Sequence, residues 1–160
     1  MTDRALWLAD GTRGHVCYCV RTNPQRIDKV TNPKHQAASM DGLRVLIVED
    51  ETLVALLLED MLADIGCTVI GSASTVNGAL ETLRQTAPGA VVLDINLGGE
   101  QSFPVADVLS SRGVPFMFAT GYGERAPIPE ELASAPVVQK PYTLEVVENA
   151  LGKLQGTVAQ

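Results

Sequence analysis

Acidic side chains stand at the ends of two strand-like runs in this 160-residue sequence. Glu49 and Asp50 directly follow the apolar run Leu43–Val48, and Asp94 ends a second run, Ala90–Asp94. The carboxyl ends of parallel strands meet at one edge of a sheet, so we expect the three carboxylates to share a small site. Because like charges at close range repel, such a site requires a raised pKa or a cation. Mg²⁺ fits, since it prefers oxygen ligands and keeps positions for water and a phosphoryl oxygen.

Two further polar residues, Thr120 and Lys140, end strand-like runs later in the chain. The ammonium group of Lys140 can pair with Asp94 or with a phosphoryl oxygen, and Thr120 offers a hydroxyl. With a metal ion, these groups suit the transfer of a phosphoryl group to a carboxylate. In that chemistry Asp94 is the nucleophile, the metal and Lys140 neutralise developing charge, and Thr120 bonds the product.

Each of these residues also has an ordinary structural interpretation. An acidic pair before a helix often only interacts with the helix dipole, which is the role that we expect for Glu51. Thr120 alone is compatible with a plain strand-end hydroxyl, and Lys140 alone with a solvated lysine. The functional interpretation is favoured because all of these positions occur at strand ends within one repeating pattern.

Alternating apolar runs predict a sheet whose strands are separated by helices. The strands are expected at 43–48, 68–71, 90–94, 115–120 and 137–139. Helices are expected at 52–65 and at about 103–112. A further helix would start at a cap formed by Ser74 or Thr75 and end at about 86, and the last would follow a Thr143 cap and cover about 144–154. In the last helix we expect Leu144, Val147, Leu151 and Leu154 to face inward. Such a chain folds as an α/β, doubly wound, five-stranded parallel sheet with helices on both faces and right-handed crossovers.

Residues 121–136 break this rhythm where a fourth helix is expected. Two glycines and three prolines in this segment allow at best one short turn near Glu130–Ala133. We therefore predict that helix 4 is short or poorly formed, and that the segment, which follows Thr120, is mobile.

Charge is unevenly distributed along the chain. Residues 1–42 hold six Lys or Arg against four Asp or Glu, for a net charge of +2, and residues 43–160 hold six against fifteen, for −9. An acidic folded part disfavours direct binding to nucleic acid or to an anionic membrane, and favours a divalent cation or a basic partner. The sequence contains neither an apolar run that is long enough to span a membrane nor a secretory signal, so we expect a cytoplasmic protein.

Three segments are expected along the chain: a disordered leader at 1–42, one folded domain at 43–155, and a tail at 156–160. The leader is polar and lacks a sustained apolar period. Its His15, Cys17, Cys19 and His35 match no usual zinc spacing. Met40 directly precedes the first strand, and we hypothesise that translation starts there.

Four motifs resemble the receiver domains of two-component response regulators. They are LIVEDE at 46–51, VVLDINL at 91–97, FATGY at 118–122 and the pair Lys140-Pro141, and their order and spacing agree with that family from Leu43 to about Leu154. The resemblance implies the flavodoxin-like fold with strand order 2-1-3-4-5. It also implies that Asp94 is the phosphoacceptor, and that Glu49, Asp50, Asp94 and the backbone carbonyl of Asn96 hold Mg²⁺. Thr120 and Lys140 would form the switch pair, and the Lys140–Pro141 peptide would be cis.

The sequence departs from that family at the usual aromatic switch position, three residues before the lysine, where it has Val137. The FATGYG stretch resembles the FAT GUY subclass, whose members are often single-domain receivers. We hypothesise that Tyr122 and the loop 121–136 take over the signalling role of the missing aromatic residue.

By resemblance, the protein is a single-domain response regulator rather than an enzyme, with at most autophosphorylation and autodephosphorylation chemistry. Its expected partners are a histidine kinase or a histidine phosphotransfer protein, a downstream protein, and a second copy after phosphorylation. One alternative is a pseudo-receiver that only binds partners. The other is a phosphatase of the haloacid-dehalogenase type, which needs a second Asp where this chain has Asn96. Leu53 and Leu57 are either ordinary surface leucines or a docking patch for a four-helix phosphotransfer partner.

Overall fold

The computed structural model of the protein describes residues 40–121 and 128–157, apart from the side chain of residue 157. Seven strands and four α-helices lie in this part of the chain. The strands are β1 (Arg44–Val48), β2 (Thr68–Ala73), β3 (Ala90–Asp94), β4 (Asn96–Leu97), β5 (Glu100–Gln101), β6 (Phe116–Thr120) and β7 (Val137–Gln139). The helices are α1 (Thr52–Asp64), α2 (Val76–Gln85), α3 (Phe103–Ser111) and α4 (Leu144–Thr157).

Five strands form one parallel sheet in the order β2-β1-β3-β6-β7. When the small hairpin of β4 and β5 is left out of the numbering, this order is the predicted 2-1-3-4-5. β3 lies at the centre and is buried throughout, which explains its nearly continuous apolar sequence. The doubly wound fold class is therefore confirmed.

Each face of the sheet packs against two helices. One apolar cluster joins residues such as Val45, Ile47 and Val92 to the inner sides of α1 and α4. The other joins Leu46, Val48 and Leu93 to α2 and α3. Alternate residues of a strand point to opposite faces, so the central strands supply both clusters and fix the helices on both sides.

A local signal in the sequence accounts for the start of α2. The Thr75 hydroxyl accepts a hydrogen bond from the Gly78 amide at 3.1 Å, so Thr75 rather than Ser74 is the cap of α2. In the position predicted for a weak fourth helix, the described residues form one 3-10 turn, Glu130–Leu132. Residues 122–127 of the segment 121–136, which was predicted to be mobile, lie outside the described part of the chain.

Two local expectations differ from the structure. β2 runs two residues past its predicted end because Ile47 and Val48 pair with Ser72 and Ala73. Leu144 was expected on the apolar side of α4, but it is 39% exposed. The buried side of α4 consists of Val147, Ala150, Leu151 and Leu154, which recur with helical spacing.

The folded unit begins before Leu43 and extends beyond residue 155. Met40 is buried in the cluster beneath α1 and α4, and its carbonyl accepts a hydrogen bond from the Leu43 amide at 2.9 Å. At the other end, α4 continues to Thr157. Residues 1–39 lie outside the described residues. None of the helices described is long and apolar enough to cross a bilayer.

Candidate functional site

Strand register brings the four polar strand ends to one edge of the sheet. Val48 pairs with Leu93, so Glu49 and Asp94 follow at the same level of neighbouring strands. Asp94 in turn pairs with Ala119, which precedes Thr120. Thr120 pairs with Gln139, which precedes Lys140, and the Lys140 amide donates to the Thr120 carbonyl at 2.9 Å. The site is thus assembled by the three strands β1, β3 and β6 and by the end of β7.

Lys140 is the centre of this site. Its ammonium nitrogen lies 2.6 Å from Asp94 Oδ2, and 2.8 Å and 2.7 Å from the two carboxylate oxygens of Glu49. Glu51 Oε1 lies 3.6 Å away. Glu49, Asp94 and Thr120 are buried, so one cation joins two largely desolvated carboxylates.

Burial and charge shift the ionisation of these groups. Burial raises the pKa of Glu49, the charge of Asp94 raises it further, and the hydrogen bond from Lys140 only partly offsets both. Burial acts to lower the pKa of Lys140, but the hydrogen bonds that its ammonium donates to Asp94 and Glu49, together with the charges of these acids, outweigh burial and raise this pKa. Both shifts favour the protonated form of the group, which is the ammonium of Lys140 and the carboxylic acid of Glu49.

Three carboxylates in this site could hold a metal ion. One carboxylate oxygen each of Glu49, Asp50 and Asp94 lies within 4.8 Å of the other two. Lys140 supplies one positive charge beside these three acidic groups. An oxygen-only donor set with excess negative charge fits a hard divalent cation, so the residues present suit the metal that the sequence implied.

The segment of β4 and β5 donates backbone hydrogen bonds to two of these carboxylates, those of Asp94 and Asp50. The Asn96 amide donates to Asp94 Oδ1 at 3.1 Å, and the Gly98 amide donates to Asp50 Oδ2 at 2.9 Å. The Asn96 carboxamide oxygen accepts a hydrogen bond from the Gly99 amide at 3.1 Å. The strands expected from the sequence do not include this hairpin, although Asn96 followed by the glycine pair Gly98-Gly99 is a turn signal.

Other residues singled out in the sequence have mixed outcomes. The Lys140–Pro141 peptide is cis, as the resemblance implies. Val137 lies on the edge strand β7 and is 43% exposed. Tyr122 lies outside the described residues, so its role stays a prediction.

One residue near the site was missed. Tyr142 is buried two residues after Lys140, and its hydroxyl has no hydrogen-bond partner among the described residues. Burial, followed by the charges of Glu49 and Asp94, raises the pKa of the Tyr142 phenol well above its usual range. The apolar pattern of α4 gives no signal for this residue, because the tyrosine precedes the helix.

Comparison with known proteins matches this chain to one domain family and to several of its members. The model of the response regulator receiver domain matches residues 45–151. The phyllosphere-induced regulator PhyR of Methylorubrum extorquens is 33% identical over 118 residues, which cover 72% of this chain and 44% of that protein. The sensory transduction protein LytT of Bacillus cereus is 34% identical over 114 residues, which cover 69% of this chain and 46% of that protein.

A solved structure matches over nearly its whole length. The solution structure of SdrG from Sphingomonas melonis Fr1 superposes with a TM-score of 0.64 at 43% identity, and the match covers 71% of this chain and 97% of that one. The chain therefore spans less than half the length of the two curated relatives but almost all of SdrG. With most of its length matched, the chain belongs to the family of response regulator receiver domains.

Proposed function

We propose that this protein is a phosphorylation-controlled signalling switch that accepts a phosphoryl group on Asp94 with the help of Mg²⁺. The observation that carries the proposal is the bridge from Lys140 to Asp94 and Glu49, beside three carboxylates that could share one cation. A nucleophilic carboxylate, a fixed ammonium group and a metal site are the parts that phosphoryl transfer needs.

The transfer step follows from this arrangement. A carboxylate oxygen of Asp94 attacks the phosphorus of a phosphohistidine, and the phosphorus–nitrogen bond breaks. The bonding electron pair stays on the imidazole nitrogen. The leaving histidine is a neutral imidazole, because one of its two ring nitrogens carries a proton. Glu49, Asp50, Asp94 and the Asn96 carbonyl would hold Mg²⁺, and the bound ion would neutralise charge on the phosphoryl oxygens. Lys140 stabilises the remaining charge.

Phosphorylation would then be reported by Thr120 and Lys140. The phosphoryl group adds between one and two negative charges beside them, which draws both groups inward and shifts an existing two-state equilibrium. Val137 supplies no aromatic ring for this step. We further propose that the protein belongs to the FAT GUY subclass and that Tyr122 takes over the signalling role of the missing aromatic residue. Support for a phosphoryl-like trigger comes from a relative, since a BeF₃-activated conformation of SdrG has been solved.

The start of α1 offers a docking surface for the phosphoryl donor, a histidine kinase or a histidine phosphotransfer protein. Leu53 is 82% exposed, and Leu56 and Leu57 are also exposed, on the helix that begins directly after Glu51. Exposed leucines at i, i+3 and i+4 form one apolar stripe. An apolar helix face of a four-helix donor would pack on this stripe and bring its phosphohistidine to Asp94.

Output would pass through protein contacts in the cytoplasm, either with a downstream protein or with a second copy after phosphorylation. Some relatives at lower identity, such as PhyR from Bartonella quintana, are described as anti-anti-sigma factors. A protein of transcriptional control is therefore one class of partner to test. Direct contact with nucleic acid is not part of the proposal, because residues 43–160 carry a net charge of −9.

The decisive experiment is phosphorylation by acetyl phosphate and by a phosphorylated donor protein, with Mg²⁺ or with EDTA. We expect an acid-stable, base-labile phosphoryl group on the wild-type protein with Mg²⁺ and none on Asp94→Asn. Beryllofluoride with Mg²⁺ should shift amide signals around Asp94 and Thr120. A wild-type protein that neither incorporates phosphate nor responds to beryllofluoride would be a pseudo-receiver. Catalytic turnover of small phosphate esters would instead indicate a phosphatase.

A further inference from the structure

Of the three acidic side chains in the site, Asp50 has the weakest support. Glu49 and Asp94 are buried and bound to Lys140, and each accepts a further backbone hydrogen bond. Asp50 is more exposed than either of them, and within the described residues its carboxylate accepts one hydrogen bond, from the Gly98 amide at 2.9 Å. The position of Asp50 therefore depends on the conformation of the hairpin.

Backbone conformation decides whether the Gly98 amide can reach Asp50. Gly98 has φ +62° and Gly99 has φ +97°, a left-handed turn that glycine adopts without a steric penalty. A Cβ atom on Gly98 would meet Asp50 Oδ2 at 3.8 Å, an ordinary contact. The glycine is thus required by the turn rather than by crowding against Asp50.

The side chain of Asn96 fixes this turn. Its Oδ1 atom accepts a hydrogen bond from the Gly99 amide at 3.1 Å, which closes the loop over three residues as an asparagine commonly does in turns. Its backbone amide donates to Asp94 Oδ1. One residue therefore links the phosphoacceptor on one side to the turn that holds Asp50 on the other.

We propose that the Asn96 side chain is a positioning residue for the metal site, which acts through the Gly99 and Gly98 amides to preorganise Asp50. The inference rests on the proposed metal-dependent function and extends it. It assigns the Asn96 carboxamide to the turn, in addition to the backbone carbonyl of Asn96 that would contact Mg²⁺. Groups that orient metal ligands in this way commonly change metal affinity when they are removed.

The test is Mg²⁺ affinity without any phosphoryl donor, measured by following amide signals in ¹H–¹⁵N spectra during titration with MgCl₂. Asn96→Ala keeps the backbone carbonyl but removes the acceptor for Gly99. We expect roughly tenfold weaker binding of Mg²⁺, the low end for loss of an outer-shell partner. Asn96→Ser retains a shorter acceptor and should recover part of the affinity. The matched control is Gln101→Ala, because Gln101 pairs with Asn96 across the hairpin but is exposed.

A second readout follows the hydrogen bond itself. In metal-free wild-type protein the Gly98 amide proton should exchange slowly with solvent and resonate downfield, as a donor to a carboxylate. Both properties should be lost in Asn96→Ala and retained in Gln101→Ala. A general disturbance of the hairpin would instead affect both variants.

The outcomes separate this inference from the proposed function. Wild-type protein that binds Mg²⁺, together with an Asn96→Ala variant of equal affinity, overturns the positioning role and leaves the proposed function intact. Equal weakening in Asn96→Ala and Gln101→Ala also overturns it, since the hairpin would then act as a whole. Wild-type protein that does not bind Mg²⁺ overturns the metal-dependent function, and this inference with it.

Discussion

The ammonium group of Lys140 lies 2.6 Å from Asp94 Oδ2, although 46 residues separate the two in the chain. The same nitrogen contacts both oxygens of Glu49. Lys140 thus pairs with the free Asp94 carboxylate, and in the proposed function it would pair with a phosphoryl group on Asp94. Among the described residues, this lysine is the cation that compensates the charge of the buried acids.

Replacement of Lys140 by Met should destabilise the metal-free protein by about 2–3 kcal/mol, because two buried carboxylates lose their counterion. Added Mg²⁺ should restore part of this loss, because a ligand that binds only the native state stabilises it. Urea unfolding in EDTA and in excess Mg²⁺ measures both effects. Lys140→Arg, which keeps the charge, is the control. Equal stability of Lys140→Met and wild type in EDTA would contradict the bridge.

The raised pKa of Glu49 predicts a pH dependence of stability in metal-free protein. The folded state binds the Glu49 proton more tightly than the unfolded state, where the pKa has its ordinary value of 4.5. Between 4.5 and the folded pKa the native state therefore holds more protons, so the contribution of Glu49 to the free energy of unfolding decreases as pH rises. Urea unfolding from pH 4 to 7 in EDTA should show a shallower decrease for Glu49→Gln. Identical slopes would argue against a raised pKa.

Arg112 connects two helices on one face of the sheet. Its Nη1 atom donates to the Leu83 carbonyl near the end of α2 at 2.7 Å, where a positive charge is also favoured by the helix dipole. Arg112→Met should lower the free energy of unfolding by about 1 kcal/mol. The control is Arg84→Met, since Arg84 pairs with Glu81 on the exposed surface of α2, where ion pairs contribute little. Urea unfolding measures both variants. An equal decrease in the free energy of unfolding would show that the hydrogen bond from Arg112 to Leu83 contributes no more than the surface ion pair.

The apolar stripe on α1 should matter for phosphotransfer and not for folding. Leu53→Glu places a charge on a residue that is 82% exposed, so stability should change by less than about 0.5 kcal/mol. Phosphotransfer from a donor protein should slow roughly tenfold or more if the stripe is an anchor of the interface. Acetyl phosphate should phosphorylate the variant at the normal rate. Leu144→Glu, an exposed leucine on α4, is the control, and equal slowing in both variants would exclude a specific role for α1.

Much of the fold could be predicted because its determinants are local. Apolar runs such as Val45–Val48 and Ala90–Leu93 have strand character on their own, and Thr75 caps α2 through a residue three positions away. The segment 121–136 contains glycines and prolines that break helices, and its described residues form one 3-10 turn at 130–132. The polar residues at strand ends were visible for the same reason, because each directly follows a local apolar run.

The chemistry of the site was decided by tertiary structure. The contact between Lys140 and Glu49 spans 91 residues. It exists because β1, β3, β6 and β7 are neighbours in a register that no local pattern encodes. The exposure of Leu144 depends on which side of α4 faces the sheet. By itself, therefore, the sequence determined the elements and the residue types at the site. Only folding decided which carboxylates Lys140 joins, and that the turn after Asn96 holds Asp50, because these contacts depend on side-chain directions across separate elements.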